Sequence, residues 1–276
     1  LAQYSNQDFI TLLNKYNIKF HEKTLGQLFC NNSAQEIIDM LLRELKLANA
    51  EIKKETEILN IEKTDNLYKI TTNSQTYICS SLVIATGGLS IAKIGASDFG
   101  FKIAKQFGLN IIEPQPALVP LTFSENFSDL SGISLIAEVS CGKQSFRENI
   151  LFTHKGLSGP AILQISSYWN KGKSIKINLA PDIDILEFLK EKKQTHPKQN
   201  LATILSEILP KKLSHHLSPE KDIANTSNTE LIKIADKINN WQIVPTGTEG
   251  YKIAEVTRGG IDTNEISSKT LECKKQ

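Results

Sequence analysis

Three glycine-bearing segments carry the residue types from which a site could be built. The first is Ala85-Thr-Gly-Gly-Leu-Ser90, at the end of the apolar run Ser81–Ala85. Glycine lacks a Cβ, so backbone N–H groups there come close to a ligand; in open α/β sheets, ligands lie beyond the carboxyl ends of strands. Gly95, Ser97 and Gly100 continue the loop, and Ser97 is placed to N-cap a helix whose N-terminus favours negative charge. Thr86, Gly87, Gly88, Gly95 and Ser97 are therefore candidates for contact with a ligand, an anionic one at the helix N-terminus. The plainer alternative is a glycine-rich connection. The spacing is neither G-x-G-x-x-G nor G-x-x-x-x-G-K-[ST], so neither a dinucleotide fingerprint nor a P-loop is claimed.

The second segment is Leu151-Phe-Thr-His-Lys-Gly-Leu-Ser-Gly-Pro160. His154 is a candidate acid or donor, histidine being the side chain most often used for proton transfer. Ser158 is a candidate partner, or the N-cap of a helix opening at Pro160. G-x-S-x-G is absent, so no hydrolase follows, and a histidine in a turn is commonly a surface residue. The third segment, Ala254–Asp262, runs through Thr257, Arg258, Gly259 and Gly260. It reads as a tight turn, or as a backbone platform against a planar ring with Arg258 as an anion contact.

Composition narrows the classes. With 276 residues, 40% hydrophobic and 22% charged, the chain is long enough for two domains, or for one domain with an insertion. Lys+Arg 32 against Asp+Glu 30 leaves +2, which lacks the basic excess of an electrostatic nucleic-acid binder. No nucleic-acid partner is expected on that ground. Cys30, Cys79, Cys141 and Cys273 are far apart and form no Cys-x-x-Cys pair, so no metal site is expected and reduced, cytoplasmic cysteines fit. No apolar run approaches the ~20 residues that span a bilayer, and the start carries no signal-peptide pattern.

The elements that must position these residues follow from periodicity. Ser33-Ala-Gln-Glu36 reads as a capping box opening a helix over 34–47. Strands are expected over 51–62 and 67–79, then a buried strand over Ser81–Ala85 of the kind found in parallel sheets. A helix over 97–107 ends at Gly108. Strands are next expected at Ala117–Phe123, Ile133–Ser140, Asn149–Thr153, Ala161–Tyr168 and Ser174–Leu179, close enough for antiparallel pairing in a small barrel. Helical stripes follow at 184–193, 199–209 and 229–238, the last behind the capping box Ser227–Glu230, and strand returns at Trp241–Val244 and Tyr251–Val256. The lysines of this helical stretch, with His215 and His216, read as a solvated face because acids interleave with them. The organisation is α/β, interrupted by a barrel-plus-helices insert.

Together, Val83–Ser90, Ala117-Leu-Val-Pro-Leu-Thr122, Leu151–Tyr168 and Ala254–Lys274 resemble the YhiN/BaiN-type flavoproteins, a family of FAD-dependent NAD(P)/FAD oxidoreductases. The resemblance runs over essentially the whole chain, and Phe152–Pro160 is its most specific piece. It implies a Rossmann-like FAD-binding domain, present in part over 1–115 and 257–276. The barrel would take 116–181 and 241–256, and a helical subdomain 182–240. It further implies that Thr86, Gly87, Gly88, Gly95 and Ser97 approach FAD, and that Thr257, Gly259 and Gly260 lie near its isoalloxazine, with His154, Ser158 and Arg258 as the catalytic candidates. Many relatives have G-S-T-G-D-G where this chain has Gly95-Ala-Ser-Asp-Phe-Gly100, placing Phe99 at the acidic position. The G-x-G-x-x-G opening and the glycine-rich closing segment of the family are absent, so the chain resembles the middle of such a protein and is expected to bind FAD weakly and to be inactive alone.

The implied function is flavin-mediated hydride transfer to or from a small molecule, with NADH or NADPH as reductant. The alternatives are an oxidase of small amines such as aminoacetone, or an RNA-binding module with a structural flavin.

Overall fold

The computed structural model describes residues 3–23 and 26–274, and the chain divides into two compact units, Leu1–Leu82 and Val83–Gln276. The sequence-based divisions after 115, 181, 240 and 256 all lie within the second unit. No helix among the described residues is long and apolar enough to cross a membrane.

In the first unit, helix α1 (Asn6–Lys15) and the β1 (Phe20–Glu22)/β2 (Leu28–Cys30) hairpin precede helix α2 (Gln35–Leu47). Leu13, Ile18 and Met40 form their core, with Phe9, Leu12, Tyr16 and Ile37 packed around it. The capping box lies at α1, where the Ser5 hydroxyl accepts from Asp8 N–H and the Asp8 carboxylate accepts from Ser5 N–H. The box expected at Ser33–Glu36 does not form. Helix α2 starts one residue later than that box requires, its N-cap is Ala34, and the Ser33 hydroxyl accepts from Gln35 instead. A three-stranded antiparallel meander of β3 (Ile58–Thr64), β4 (Leu67–Thr72) and β5 (Thr76–Cys79) completes the unit.

The strand expected over Ser81–Ala85 is absent, and Val83 is 84% exposed. An apolar run becomes a central parallel strand only when strands flank it and helices cover it. The described residues supply no parallel pair, since every ladder is antiparallel. The Rossmann-like expectation therefore has no sheet here.

In the second unit, helix α3 (Phe99–Gln106) is followed by β6 (Ile111–Ala117), β7 (Leu121–Thr122), β8 (Ser134–Cys141), β9 (Gln144–Thr153), β10 (Gly156–Ser158), helix α4 (Pro160–Ser166) and β11 (Ile175–Asn178). Helices α5 (Ile185–Thr195), α6 (Leu201–Leu205), α7 (Lys211–Leu217) and α8 (Asn228–Asn239) then precede β12 (Trp241–Ile243), β13 (Gly247–Thr248) and β14 (Val256–Ile261). Ala161–Tyr168, expected as strand, is helical. Pro160 presets the first turn, and the buried positions Ala161, Ile162, Ile165 and Ser166 follow the period of a helix. Tyr251–Val256, also expected as strand, begins as a turn closed by Ile253 and Ala254 N–H groups onto the Gly250 carbonyl.

Seven strands form one sheet in the order β12-β11-β8-β9-β10-β7-β13. The ladder does not close, so the expected barrel is an open one. Flat, six inter-strand steps would set its edges about 29 Å apart. Only Val244, Pro245 and Thr246 separate β12 from β13, a link that reaches about 14 Å at most, so the sheet must curl. Its inner face (Ala137, Val139, Ile150, Phe152, Leu157, Ile175, Ile177) shares one core with α4 and with Ile185, Leu189, Leu205, Leu231 and Ile238 of the helices. Phe152 stacks on Trp241 at 6.3 Å, and Phe127 meets both rings edge-on.

Candidate functional site

Strand β14 pairs with β6, and the register shifts between Arg258 and Gly260. The extra residue is on β6, where Glu113 and Pro114 lie opposite Gly259 alone. Gly259 is at φ +87°, and a Cβ there would lie 2.7 Å from the Glu113 carbonyl oxygen. Only glycine fits opposite this bulge, which redirects the side chains beside it. The expected Thr257–Gly260 turn is thus a strand that faces a bulge in β6.

From it, the Thr257 hydroxyl oxygen accepts the Leu89 N–H at 2.9 Å and the Ser90 N–H at 3.1 Å, and meets the buried Ser90 hydroxyl at 3.1 Å. Gly88 presses on the same group: a Cβ there would stand 2.7 Å from Thr257 Oγ1. Thr86 Oγ1 lies 2.7 Å from where Gly100, the second residue of α3, would carry its Cβ. The Gly260 position faces the Phe101 ring one residue further along that helix. The tertiary structure thereby gathers Thr86, Gly88, Thr257 and Gly260 around the start of α3.

Gly87 (φ +73°) and Gly95 (φ +97°) are left-handed, with open space where a Cβ would go. Ser97 is not the formal N-cap, which is Asp98, but its Oγ accepts from Phe99 N–H at 3.3 Å. Around this backbone Val83 and Ile94 are 84% and 82% exposed. A Cβ-free backbone beside exposed aliphatic groups can receive a flat, apolar ring.

Arg258 has its guanidinium turned away from any anion role, onto the Ser167 carbonyl, the Asn170 amide oxygen and Gln115. It ties the bulge to the end of α4. Nearby, the Tyr251 hydroxyl is enclosed with no hydrogen-bond partner among the described residues. Burial, and secondarily Glu113, push its phenol above the ordinary tyrosine range. Sequence pattern gives no signal for Tyr251, or for the pairing of Ser90 with Thr257, because both depend on contacts between distant segments.

The Phe152–Pro160 segment is a hairpin. Thr153 Oγ1 accepts from Lys155 and Gly156 N–H groups, closing the turn that exposes His154 and Lys155. Lys155 pairs with Glu249 at 3.3 Å. A Cβ on Gly156 would stand 2.2 Å from the Leu121 carbonyl oxygen, and one on Gly159 2.7 Å from that of Asn149. Close backbone approach thus accounts for both glycines. Ser158 pairs with Leu151, so it lies roughly 7–10 Å along the hairpin from the turn that holds His154. His154 and Ser158 do not form a dyad.

Residues 115–256 match the family described as the HI0933-like protein barrel and H2TH domain. The chain belongs to the HI0933-like family. This is the YhiN/BaiN-type flavoprotein superfamily. Among HI0933-like relatives, a protein of Escherichia coli (strain K12) named ribosomal RNA dihydrouridine synthase is 46% identical over 286 residues, covering 100% of this chain and 71% of that protein. A Haemophilus influenzae protein of the same name is 44% identical, covering 99% and 71%. A Clostridium scindens protein named 3-dehydro-bile acid delta(4,6)-reductase is 24% identical over 264 residues, 88% of this chain and 64% of that protein. All three are named as enzymes.

The expectation of no nucleic-acid partner is overturned, since the two relatives of highest identity among these are named for ribosomal RNA. Its weakness is physical: a net charge of +2 is a sum, blind to where the charges lie.

Proposed function

We propose that this chain belongs to an FAD-dependent oxidoreductase that reduces uridine in ribosomal RNA to dihydrouridine. The observation that carries this reading is the 46% identity to a ribosomal RNA dihydrouridine synthase along the whole chain. Dihydrouridine is uridine with a hydride and a proton added across C5–C6. Protein side chains hold no hydride, so a redox cofactor is required, and FAD reduced by NADH or NADPH supplies that chemistry when bound.

The residues fit one side of this cofactor. Thr86, Gly87, Gly88, Gly95, Ser97, Thr257, Gly259 and Gly260 would hold the flavin ring, with the open backbone at Gly87 and Gly95 in support. The 276 residues contain no G-x-G-x-x-G, so the set offers no glycine loop to the diphosphate. In this reading 1–115 and 257–276 serve the cofactor, while the barrel (116–181, 241–256) and helices (182–240) serve the RNA; the family match over 115–256 supports that division. His154 and Ser158 face the substrate, and Arg258 is a positioning residue rather than a catalytic one.

The test is to incubate unmodified ribosomal RNA with the protein, FAD and NADH or NADPH, and to look for uridine gaining two hydrogens by mass spectrometry. Reduction of RNA uridine supports the reading. Reduction only of a small enone, the chemistry suggested by the 24% identical reductase, would overturn it, as would peroxide formed from small amines without RNA reduction.

A further inference from the structure

The geometry points to one end of the open barrel, formed by Lys143, Lys171, Lys173 and the Tyr168 ring, as the surface that docks single-stranded segments of the RNA. This rests on the reading of ribosomal RNA as substrate.

Strand β11 runs antiparallel to β8 with Lys176 opposite Ser140 and Ile177 opposite Val139. That register brings the start of β11 beside the end of β8, where Cys141 and Gln144 close the hairpin that carries Lys143 at its tip; Lys173 lies two residues before β11, at the same end. Electrostatics agree with this placement. Burial pushes the Cys141 thiol up, and the Lys173 ammonium pulls it partly back. Lys171 lies in the same turn, closed by Lys173 N–H onto the Asn170 carbonyl. All three lysines are exposed, and none has a carboxylate within 4.0 Å among the described residues. By contrast Lys190, Lys192 and Lys221 of the helical part are each paired with a glutamate.

Beside this patch Tyr168, 49% exposed, packs on Phe146 with ring centres 5.7 Å apart. Lysines without acidic partners attract phosphate, and an aromatic face left open to solvent stacks an unpaired base whatever its identity.

The platform is also rigid, which lowers the entropic cost of binding. The buried Trp169 donates its indole N–H to the Lys173 carbonyl at 2.7 Å, and Arg258 grips Ser167 and Asn170 on either side of Tyr168 and Trp169. Since Arg258 follows Thr257 directly, the RNA platform is fastened to the bulge proposed to meet the flavin.

The experiment measures binding of the full chain to a fluorescent 12-nucleotide oligouridylate and to protein-free ribosomal RNA, across a salt series. Lys143→Gln/Lys171→Gln/Lys173→Gln is expected to weaken binding about ten- to a hundredfold near 0.1 M salt, and to lower the log–log salt slope by about 2. Tyr168→Ala is expected to weaken oligouridylate binding at least about fivefold, with Tyr168→Phe close to wild type. Lys69→Gln, a change of the same charge type on β4, outside the RNA-serving part, is expected to leave both unaltered. An unchanged affinity and slope in the triple variant, with wild-type thermal unfolding, would overturn the docking surface while leaving the RNA reading intact. Absence of RNA binding by the wild-type protein, together with no uridine reduction, would instead remove the reading beneath it.

Discussion

Thr257 holds Ser90 through a single oxygen: its Oγ1 accepts the Ser90 backbone N–H and meets the Ser90 hydroxyl, both at 3.1 Å. The two glycine segments that the sequence shows 167 residues apart are joined there, with Gly88 packed against the same side chain. Thr257→Val keeps the shape but leaves the Leu89 and Ser90 N–H groups without an acceptor, at an expected cost of about 1–3 kcal/mol. Thermal unfolding of Thr257→Val and Thr257→Ser checks this, the serine variant being expected to retain stability. Flavin retention, read from visible absorbance, is expected to fall in the valine variant and in Gly88→Ala, and to survive in the serine variant.

Gly156 sits where β10 meets β7, and the Leu121 carbonyl occupies the space a Cβ would need. Gly156→Ala must displace backbone rather than a flexible side chain. A loss of about 3 kcal/mol is expected, at the high end for overpacking. A lowered urea midpoint with an unchanged slope would report it. An unchanged midpoint would show that the two strands can part at no cost.

The Glu230 carboxylate accepts from Lys221 and closes the capping box of α8 with Ser227, which together hold its pKa down to about 2. A depressed carboxylate stabilises the fold above its ordinary value of 4.5, and that contribution is lost as pH falls toward about 2. Melting temperature is therefore expected to decline across this window, and Glu230→Gln to remove part of the decline. Identical pH profiles for the two proteins would contradict the assignment.

His154 is exposed at its hairpin tip, so His154→Ala is expected to change stability by no more than about 0.5 kcal/mol. Both His154→Ala and Ser158→Ala are expected to slow uridine reduction without releasing flavin. Full activity in both variants would return the hairpin to a purely structural role.

Local pattern carried much of this molecule. The apolar stripes of α5 and α8 and the box at Ser227–Glu230 depend on residues three or four apart, and they stand as read. The apolar runs at Ile133–Ser140 and Asn149–Thr153 are strands for the same reason, whereas the return strand Gly156–Ser158 has no such local signal. What failed depended on distant partners. Ser81–Ala85 is apolar enough for a buried strand, but strand formation needs neighbours, and Ala161–Tyr168 took the helical reading that Pro160 and its burial period favour. That Gly88 abuts Thr257, that Arg258 is committed to Ser167 and Asn170, and that Lys173 and Lys143 share one end of the sheet were settled by strand register and chain crossing. A linear sequence shows which side chains can bond or bear charge. Which of them meet is decided only when burial of the shared core fixes the strands against one another.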